Sequence, residues 1–339
     1  MDRNLALEFV RVTEAAAIAS ARWMGKGDTH KADDAAVVMM RKVLNDLDID
    51  GEIVIGEGER DKAPMLYIGE RVGKKGGSKG DNNAVKIDLA VDPLECTNSV
   101  AYGRPNAIAV LASAPWGTLL HAPDIYMDKI AVGPRARGTV DLDASVEENL
   151  SAVADALEKQ VKDLTVVVLD RERHARLIKD IRACDARIVL IPDGDISGAI
   201  APSIEGSGID ILMGIGAAPE GVIAAAGISA LEGDMQGRLV FRDKEERRRA
   251  EEMGAYAGQK SALNDPEMLN DPGRKMGVCD MVHCENAMFA ATGVSDGPFL
   301  KGVRFTSTGA ITNSVVMRTK TKTVRFIEAR HVFRDKPNY

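Results

Sequence analysis

The sequence of 339 residues has no apolar run of about 18 residues, the length that a membrane-spanning helix requires. Residues 1–4 also lack the charged and then apolar layout of a secretory signal. Both absences argue against membrane insertion and export, so we expect a cytoplasmic protein. The few cysteines have neither the spacing of a disulfide framework nor that of a zinc site, and we expect most of them to be buried thiols. They are Cys96, Cys184, Cys279 and Cys284.

Aromatic residues make up only 4% of the chain, and the formal net charge is −7. Nucleic acids are therefore disfavoured as partners, because they need aromatic stacking surfaces or a basic surface. An anionic small molecule remains possible, since a phosphate site needs only a few local cations, backbone N–H groups or a bound metal. The hydrophobic content of 45% is typical of a globular protein with one large domain or two lobes.

One apolar strand leads into a turn that is rich in acids. Apolar and polar residues alternate over 85–91, and Pro93 should stop the strand pairing. The stretch brings Asp88, Asp92 and Glu95 to one turn, where carboxylates repel one another unless they are protonated or bind cations. Oxygen ligands indicate Mg²⁺ or Mn²⁺. A solvated acidic turn without a metal is the alternative.

A second acidic turn follows the β-branched strand at 51–55. Glu57 stands between two glycines, which allow a tight turn and a close approach to a ligand, and Glu59 and Asp61 follow. We favour metal ligation here over a solvated hairpin. Asp33 is predicted to lie in the first turn of a helix at 32–47, where the helix dipole favours an ionised carboxylate. Taken alone, Asp33 is better interpreted as a helix-start acid.

The second half of the chain alternates predicted strands and helices, which indicates a parallel sheet covered by helices. Ligands gather at the carboxyl ends of such strands, and polar clusters follow three of them, at 170–173, 193–195 and 214–221. Within the last cluster Glu220 could complete a metal site, although tight packing would also explain its glycines. Tyr126 is a candidate substrate contact in a predicted loop, but a half-buried structural tyrosine is the commoner outcome.

We place a lobe boundary near residue 145, where periodicity is lost. The chain is thus predicted to be an α/β protein, with a mixed metal-binding lobe at 1–145 and an α/β lobe at 146–339. The tail at 286–332 is predicted to form an antiparallel set of strands. Together, the acids and the strand-end cations Arg171 and Arg173 suggest metal-assisted phosphate hydrolysis, in which the arginines bind a second phosphate.

Five motifs carry a closer resemblance. They are ASARWMGKGD at 19–28, IVIGEGE at 53–59, APMLYIGE at 63–70, IPDGD at 191–195 and GIGAAPEG at 214–221. They resemble the class II fructose-1,6-bisphosphatases, and in particular those that also act on sedoheptulose 1,7-bisphosphate. The resemblance covers nearly the whole chain. It implies the layered sugar-phosphatase fold of the lithium-sensitive superfamily, Mg²⁺ or Mn²⁺ as cofactor, a homotetramer or homodimer, and a place in gluconeogenesis or the Calvin cycle.

The resemblance also implies roles for individual residues. Thr97, aided by Glu59 and Asp61, would orient or activate the attacking water, and the 1-phosphate would be cleaved. The implied metal ligands are Asp33, Glu57, Asp92, Glu95 and Glu220. The implied substrate-binding residues are Glu95, Cys96, Thr97, Tyr126, Arg171, Glu172, Arg173, Asp193, Gly194, Asp195 and Ala217.

Two departures from the family pattern leave alternatives open. Cys96 stands where the family has glycine, which suggests either a tolerated substitution or an enzyme that oxidation of this thiol inactivates. In the other departure, Lys31 is shifted from the usual position of a family lysine. An inositol-monophosphatase-like enzyme is the main rival within enzymes. A catalytically weakened sugar-phosphate sensor is the rival from another class.

Overall fold

The computed structural model describes residues 5–58, 64–74, 85–256, 271 and 273–333, without the side chains of 253–256. Glu59 and Asp61 lie outside the described residues. The chain divides into two compact units, the first formed by Met1–Leu119 with Asn286–Tyr339 and the second by Leu120–Glu285. This division differs from the predicted lobes, because the tail strands return to the first unit. No helix in the described part of the chain is long and apolar enough to cross a membrane.

The first unit packs helices against one mixed sheet. Its helices are α1 (Leu5–Ala21), α2 (Thr29–Asn45) and α3 (Thr97–Ala101). Its strands are β1 (Ile49–Ile55), β2 (Arg71–Val72), β3 (Val85–Glu95), β4 (Ile108–Pro115), β11 (Met288–Gly293), β12 (Arg304–Thr306), β13 (Gly309–Arg318) and β14 (Thr323–Val332). The order is β12-β13-β11-β4-β3-β1-β2, with β14 beside β13. The tail strands pair antiparallel, as predicted, and β11 joins them to β4. Phe9, Met40 and Leu89 share the core between α1, α2 and the sheet.

Two details near the predicted acids were wrong. Pro93 does not end the acidic strand: β3 runs on to Glu95, and its register with β4 shifts between Asp92 and Glu95. Proline is accommodated there because a bulge interrupts the hydrogen-bond ladder. Helix α2 begins earlier than expected, since the side chain of Asp28 caps it by accepting from the N–H of Lys31 at 3.0 Å. Asp33 therefore lies beyond the first turn, where the helix dipole has faded.

The second unit covers a mixed sheet with helices. Its strands are β5 (Tyr126–Val132), β6 (Thr165–Leu169), β7 (Arg187–Ile191), β8 (Ile211–Ala217), β9 (Asp234–Val240) and β10 (Met276–Gly277). Its helices are α4 (Val146–Leu157), α5 (Ala175–Ala183), α6 (Ile196–Ile200), α7 (Ala218–Ala230), α8 (Lys244–Tyr256) and α9 (Val278–Met281). The order is β10-β9-β5-β8-β6-β7. Helices α4 and α5 share a core with β6 and β8 that contains Leu150, Ile181 and Val166.

The α/β class is confirmed, but the second sheet is only partly parallel. Strands β7, β6 and β8 are parallel, as predicted, whereas β5 pairs antiparallel with both β8 and β9. Tyr126 consequently opens a strand, rather than lying in a loop. The cysteine prediction was wrong for Cys279 and Cys284, which form a disulfide across α9. Cys96 and Cys184 remain thiols. The helix brings Cys279 and Cys284 close enough to form a disulfide, which their spacing in the sequence did not indicate.

Candidate active site

A glycine-flanked turn after β1 positions Glu57. The backbone N–H of Glu57 donates to the carbonyl oxygen of Leu66 at 3.0 Å. A Cβ atom at Gly56 would lie only 2.0 Å from that same oxygen, and Gly58 has a φ of +126°. Side chains are excluded at the first position and strained at the second. The turn therefore demands glycine on both sides, and it fixes the backbone of Glu57 between them.

The structure brings Glu57 into electrostatic range of two other predicted ligands. Burial and the charges of Asp33, Asp92 and Asp34 raise the pKa of Glu57 to about 8. Burial and the charge of Asp34 also raise the pKa of Asp33. A carboxyl group in this position carries a proton near neutral pH unless a positive charge stands beside it. A cation beside the cluster of Asp33, Glu57 and Asp92 would therefore be needed to keep all three ionised.

This cluster is not a closed metal cage. Among the described residues, no three His, Cys, Asp or Glu side chains stand together in an arrangement that would hold an ion. The donors are nonetheless all carboxylate oxygens, which fit a hard divalent cation such as Mg²⁺ or Mn²⁺ in their chemistry. The segment 59–63, beside Glu57, lies outside the described residues, so the predicted contributions of Glu59 and Asp61 remain predictions.

The end of β3 holds its acids in different ways. Asp88 is almost fully buried, and its Oδ2 accepts from the N–H groups of Thr118 at 2.8 Å and Leu119 at 3.1 Å. This carboxylate therefore anchors the loop after β4. Asp92 is half-buried and accepts from the N–H of Leu94 at 3.1 Å, which steadies the turn after it. Glu95 is only 2% exposed.

Thr97 begins α3 directly after these acids. Its hydroxyl donates to the carbonyl oxygen of Leu94 at 3.0 Å, and its side chain is half-buried. The bond fixes the oxygen at the helix start, and the lone pairs of this oxygen remain able to accept a hydrogen bond. Thr97 thus lies on the same turn as Asp92 and Glu95, as predicted. Its role towards the attacking water stays a prediction.

Cys96 has the backbone conformation of a glycine. Its φ of 67° and ψ of 48° lie in the left-handed region, and its side chain is buried at the N-terminus of α3. A residue with a Cβ atom is strained there by about 1–2 kcal/mol. The sequence departure from glycine therefore introduces real strain next to Glu95 and Thr97.

We expect Cys96→Gly to be more stable than Cys96→Ala by about 1 kcal/mol, because only glycine relieves the left-handed strain. Both variants lose the thiol, so their difference isolates the backbone. Urea unfolding followed by circular dichroism measures it. At an ordinary helical position, alanine gives a more stable protein than glycine does. If Cys96→Ala were more stable than Cys96→Gly, the inference of backbone strain at residue 96 would be contradicted.

In the second unit, arginines are fixed at the carboxyl end of the parallel strands. Arg171 donates to Oδ1 of Asp193 at 2.9 Å. Arg173 donates through both Nε and Nη2 to the carbonyl oxygen of Ile215, at 3.0 and 2.7 Å. Its guanidinium carbon also lies 4.8 Å from the centre of the Tyr126 ring. The side chains of Arg171 and Arg173 are therefore positioned by hydrogen bonds to residues near the ends of neighbouring strands.

Tyr126 lies beside a second cation that the sequence analysis missed. The guanidinium carbon of Arg242 is 5.5 Å from the centre of the same ring. Arg242 is ion-paired with Glu246 and follows β9, whose last residue, Val240, pairs with Tyr126. Every second residue of β9 is buried. This alternation was the sequence signal that could have predicted the strand, and with it the position of Arg242 just beyond the strand's end. The other predicted substrate residues of this unit lie at the same strand ends: Glu172 is exposed, and Gly194 has a φ of 55°.

His174 joins two strands beyond the point where their pairing ends. Its Nδ1 lies 2.7 Å from the carbonyl oxygen of Leu169, and its Nε2 accepts from the N–H of Ile215 at 2.8 Å. These contacts define a neutral tautomer with the proton on Nδ1. Burial is the main reason why the pKa of His174 is lowered. The imidazole therefore supports the same residue, Ile215, whose carbonyl group holds Arg173.

The stability of the protein should depend on this imidazole at acidic pH. Because the folded state lowers the pKa of His174, the unfolded state binds more protons. The contribution is fully present above the unfolded pKa of 6.5 and is lost as the pH falls through the lowered value. We expect the unfolding free energy of the parent to fall more steeply than that of His174→Gln below about pH 6.5. Parallel slopes in urea titrations would contradict this.

Asp195 and Glu220 are hydrogen-bonded to each other in the second unit. Oε2 of Glu220 accepts from the backbone N–H of Asp195 at 3.3 Å. Both oxygens of the Asp195 carboxylate lie 2.6 Å from Nζ of Lys129, which also donates to the carbonyl oxygen of Ala217 at 2.9 Å. Lys129 lies on β5, a strand that the sequence analysis did not predict. The structure thus groups three of the predicted residues around a lysine that was overlooked.

Comparison with known proteins gives one consistent family. The family described as bacterial fructose-1,6-bisphosphatase, glpX-encoded, matches residues 3–331. A relative from Synechococcus sp. strain JA-3-3Ab is 47% identical over 337 residues, covering 98% of this chain and 96% of the relative. One from Thermosynechococcus vestitus is 46% identical over 343 residues, covering 98% and 97%. Both relatives are named D-fructose 1,6-bisphosphatase class 2/sedoheptulose 1,7-bisphosphatase.

Proposed function

The chain belongs to the glpX family of bacterial fructose-1,6-bisphosphatases and is a phosphatase of sugar bisphosphates, and from this premise we propose which residues perform the hydrolysis. The observation that carries the proposal is the half-buried cluster of Asp33, Glu57 and Asp92, in which the pKa of Glu57 is raised to about 8. A site that suppresses its own negative charge in this way is suited to a cofactor of opposite charge.

We assign Mg²⁺ or Mn²⁺ to this cluster. Asp33, Glu57, Asp92 and Glu95 would hold the cofactor, and Glu220 is proposed separately as a metal ligand. When bound, the metal neutralises phosphoryl oxygens and lowers the pKa of a water molecule. The protein's own groups supply the rest: the turn at Gly56–Gly58 holds Glu57 in place, and the bond from Thr97 to Leu94 fixes a hydroxyl oxygen that can orient the attacking water.

We propose that the strand-end arginines bind the second phosphate of the substrate. Arg173 is exposed and held in place by Ile215 and Tyr126, so that its planar guanidinium can bind a phosphate through paired hydrogen bonds. We propose that this residue binds the distal phosphate while the 1-phosphate is cleaved. The names of the relatives support sedoheptulose 1,7-bisphosphate as a second substrate. The homo-oligomer that the family resemblance implies also remains a proposal.

A phosphate-release assay tests the proposal. Fructose 1,6-bisphosphate, sedoheptulose 1,7-bisphosphate and inositol 1-phosphate are each offered with Mg²⁺, with Mn²⁺ and with a chelator. We expect release from both sugar bisphosphates, only with a metal present. Hydrolysis that persists in the chelator would contradict the metal assignment. Tight bisphosphate binding without release under any condition would favour the sensor alternative.

A further inference from the structure

Lys129 is buried completely in the middle of the second unit's sheet. Its side chain is 0% exposed, and that of its partner Asp195 is 2% exposed. The ammonium group contacts both oxygens of Asp195 and the carbonyl oxygen of Ala217. An ammonium group has three protons, so these three contacts use all of its donors. A buried charge is tolerated only when it is paired and hydrogen-bonded in this way.

The surrounding glycines are fitted to this ion pair. A Cβ atom at Gly216 would lie 2.0 Å from Oδ2 of Asp195 and 2.8 Å from Nζ of Lys129. At Gly221, on α7, it would lie 3.3 Å from Cδ of Lys129. Gly216 and Gly221 of the GIGAAPEG motif therefore leave space for the Lys129–Asp195 pair, whereas Gly214 leaves space for the imidazole of His174. The motif has a structural explanation that does not require a ligand to approach its backbone.

The ion pair extends to a predicted metal ligand through two short connections. Ala217, whose carbonyl oxygen accepts from Lys129, is the N-cap residue of α7, and Glu220 lies in the first turn of that helix. Asp195, whose carboxylate binds Lys129, donates its backbone N–H to Glu220. Lys129 therefore holds both the start of α7 and the residue to which the Glu220 carboxylate is hydrogen-bonded.

We propose that Lys129 is a positioning residue for the hydrolysis, which fixes the N-terminus of α7 and thereby the carboxylate of Glu220. The inference rests on the proposed function, in which Glu220 is a metal ligand. It also gives Asp195 a different task from the one that the family resemblance implies. Its buried carboxylate serves as the partner of Lys129, and the sugar phosphate is bound by the exposed groups of the neighbouring strand ends.

A double-mutant cycle on Lys129→Met and Asp195→Asn tests the proposal. Mn²⁺ affinity is measured by titration calorimetry without substrate, and KM and kcat are measured with fructose 1,6-bisphosphate. Groups that orient metal ligands typically contribute about 10–100-fold to metal affinity, so we expect each single variant to weaken Mn²⁺ binding by at least about tenfold. The double variant should be no worse than either single variant, because both substitutions break the same pair.

Two outcomes would overturn the inference. The first is unchanged Mn²⁺ affinity in Lys129→Met. The second is a further large rise of KM when Asp195→Asn is added to Lys129→Met, since that would show a direct contact between Asp195 and the substrate. If either single variant fails to fold, the double variant still decides the first question, because it contains no unpaired buried charge.

Lys159→Met is the matched control for a merely structural loss. Lys159 forms an ion pair with the buried Asp210, which accepts from the backbone N–H of Thr165 at the opposite end of β6. We expect this variant to lose stability but to keep the parent's Mn²⁺ affinity and KM. A parent that binds no Mn²⁺ would refute the proposed function. A parent that loses Mn²⁺ on Glu220→Gln, but not on Lys129→Met, would refute only the role of Lys129.

Discussion

Replacing Glu57 by glutamine is expected to lower phosphate release from fructose 1,6-bisphosphate by roughly a thousandfold, because several kcal/mol of charge stabilisation depend on the metal. The amide matches the shape of the carboxyl group. Without metal, a group with a pKa of about 8 is mostly protonated at neutral pH, so the substitution replaces one uncharged group by another. The melting temperature without metal should therefore be maintained, while the rise on adding Mn²⁺ should be lost.

Glu52→Gln provides the matched control for this experiment. Glu52 lies on the same strand, β1, and burial raises its pKa as well, but it faces Arg71 at 3.4 Å. We expect its activity to stay within about threefold of the parent, since partly exposed ion pairs contribute little. A Glu57→Gln protein that keeps its Mn²⁺-induced stabilisation would contradict the metal assignment, because ligand loss must appear in binding as well as in turnover.

The fold could be predicted best where one physical signal dominated. The sequence predicts strands at 165–169 and 187–191, and β6 and β7 have these bounds, because each short apolar run follows a polar residue and ends at Asp170 or Pro192. Strand β5 was missed because Asp128 and Lys129 interrupt its apolar pattern. The buried charge of Lys129 is compatible with a strand because a distant partner neutralises it: Lys129 pairs with Asp195, which lies 66 residues away. Such pairs cannot be found from local periodicity.

The same distinction applies to the candidate site. The structure groups Asp33, Glu57 and Asp92 electrostatically, and the family resemblance implies that these three residues are metal ligands; their role towards a metal stays a prediction. The supporting groups were not predicted. His174 accepts a hydrogen bond from Ile215, which lies 41 residues away in the sequence. It was not predicted as a supporting residue, because a single buried histidine leaves no pattern in the sequence. Sequence patterns thus indicated which residues carry charge, whereas the residues that hold them in place emerged only from the fold.

Replacing Arg173 by alanine is expected to raise KM for fructose 1,6-bisphosphate between about tenfold and a hundredfold, with a smaller change in kcat. Charge-assisted hydrogen bonds to a phosphate are each worth about 1.5–3 kcal/mol, and 1.4 kcal/mol corresponds to a factor of ten. Arg173→Lys should fall between the parent and the alanine variant. A lysine keeps the charge but loses the planar fork that binds Ile215 and can bind a phosphate.

Arg176→Ala separates this effect from a general loss of positive charge. Arg176 lies three residues further along the chain, on α5, and its side chain is 94% exposed, with only a long contact of 3.6 Å to Asp180. Its removal should leave KM unchanged, because an exposed and loosely paired charge contributes little. If Arg173→Ala lowered kcat and left KM at the parent's value, the arginine would act in the transition state alone. The distal phosphate would then need another partner, and Arg242, on the same tyrosine ring, would be the next residue to replace.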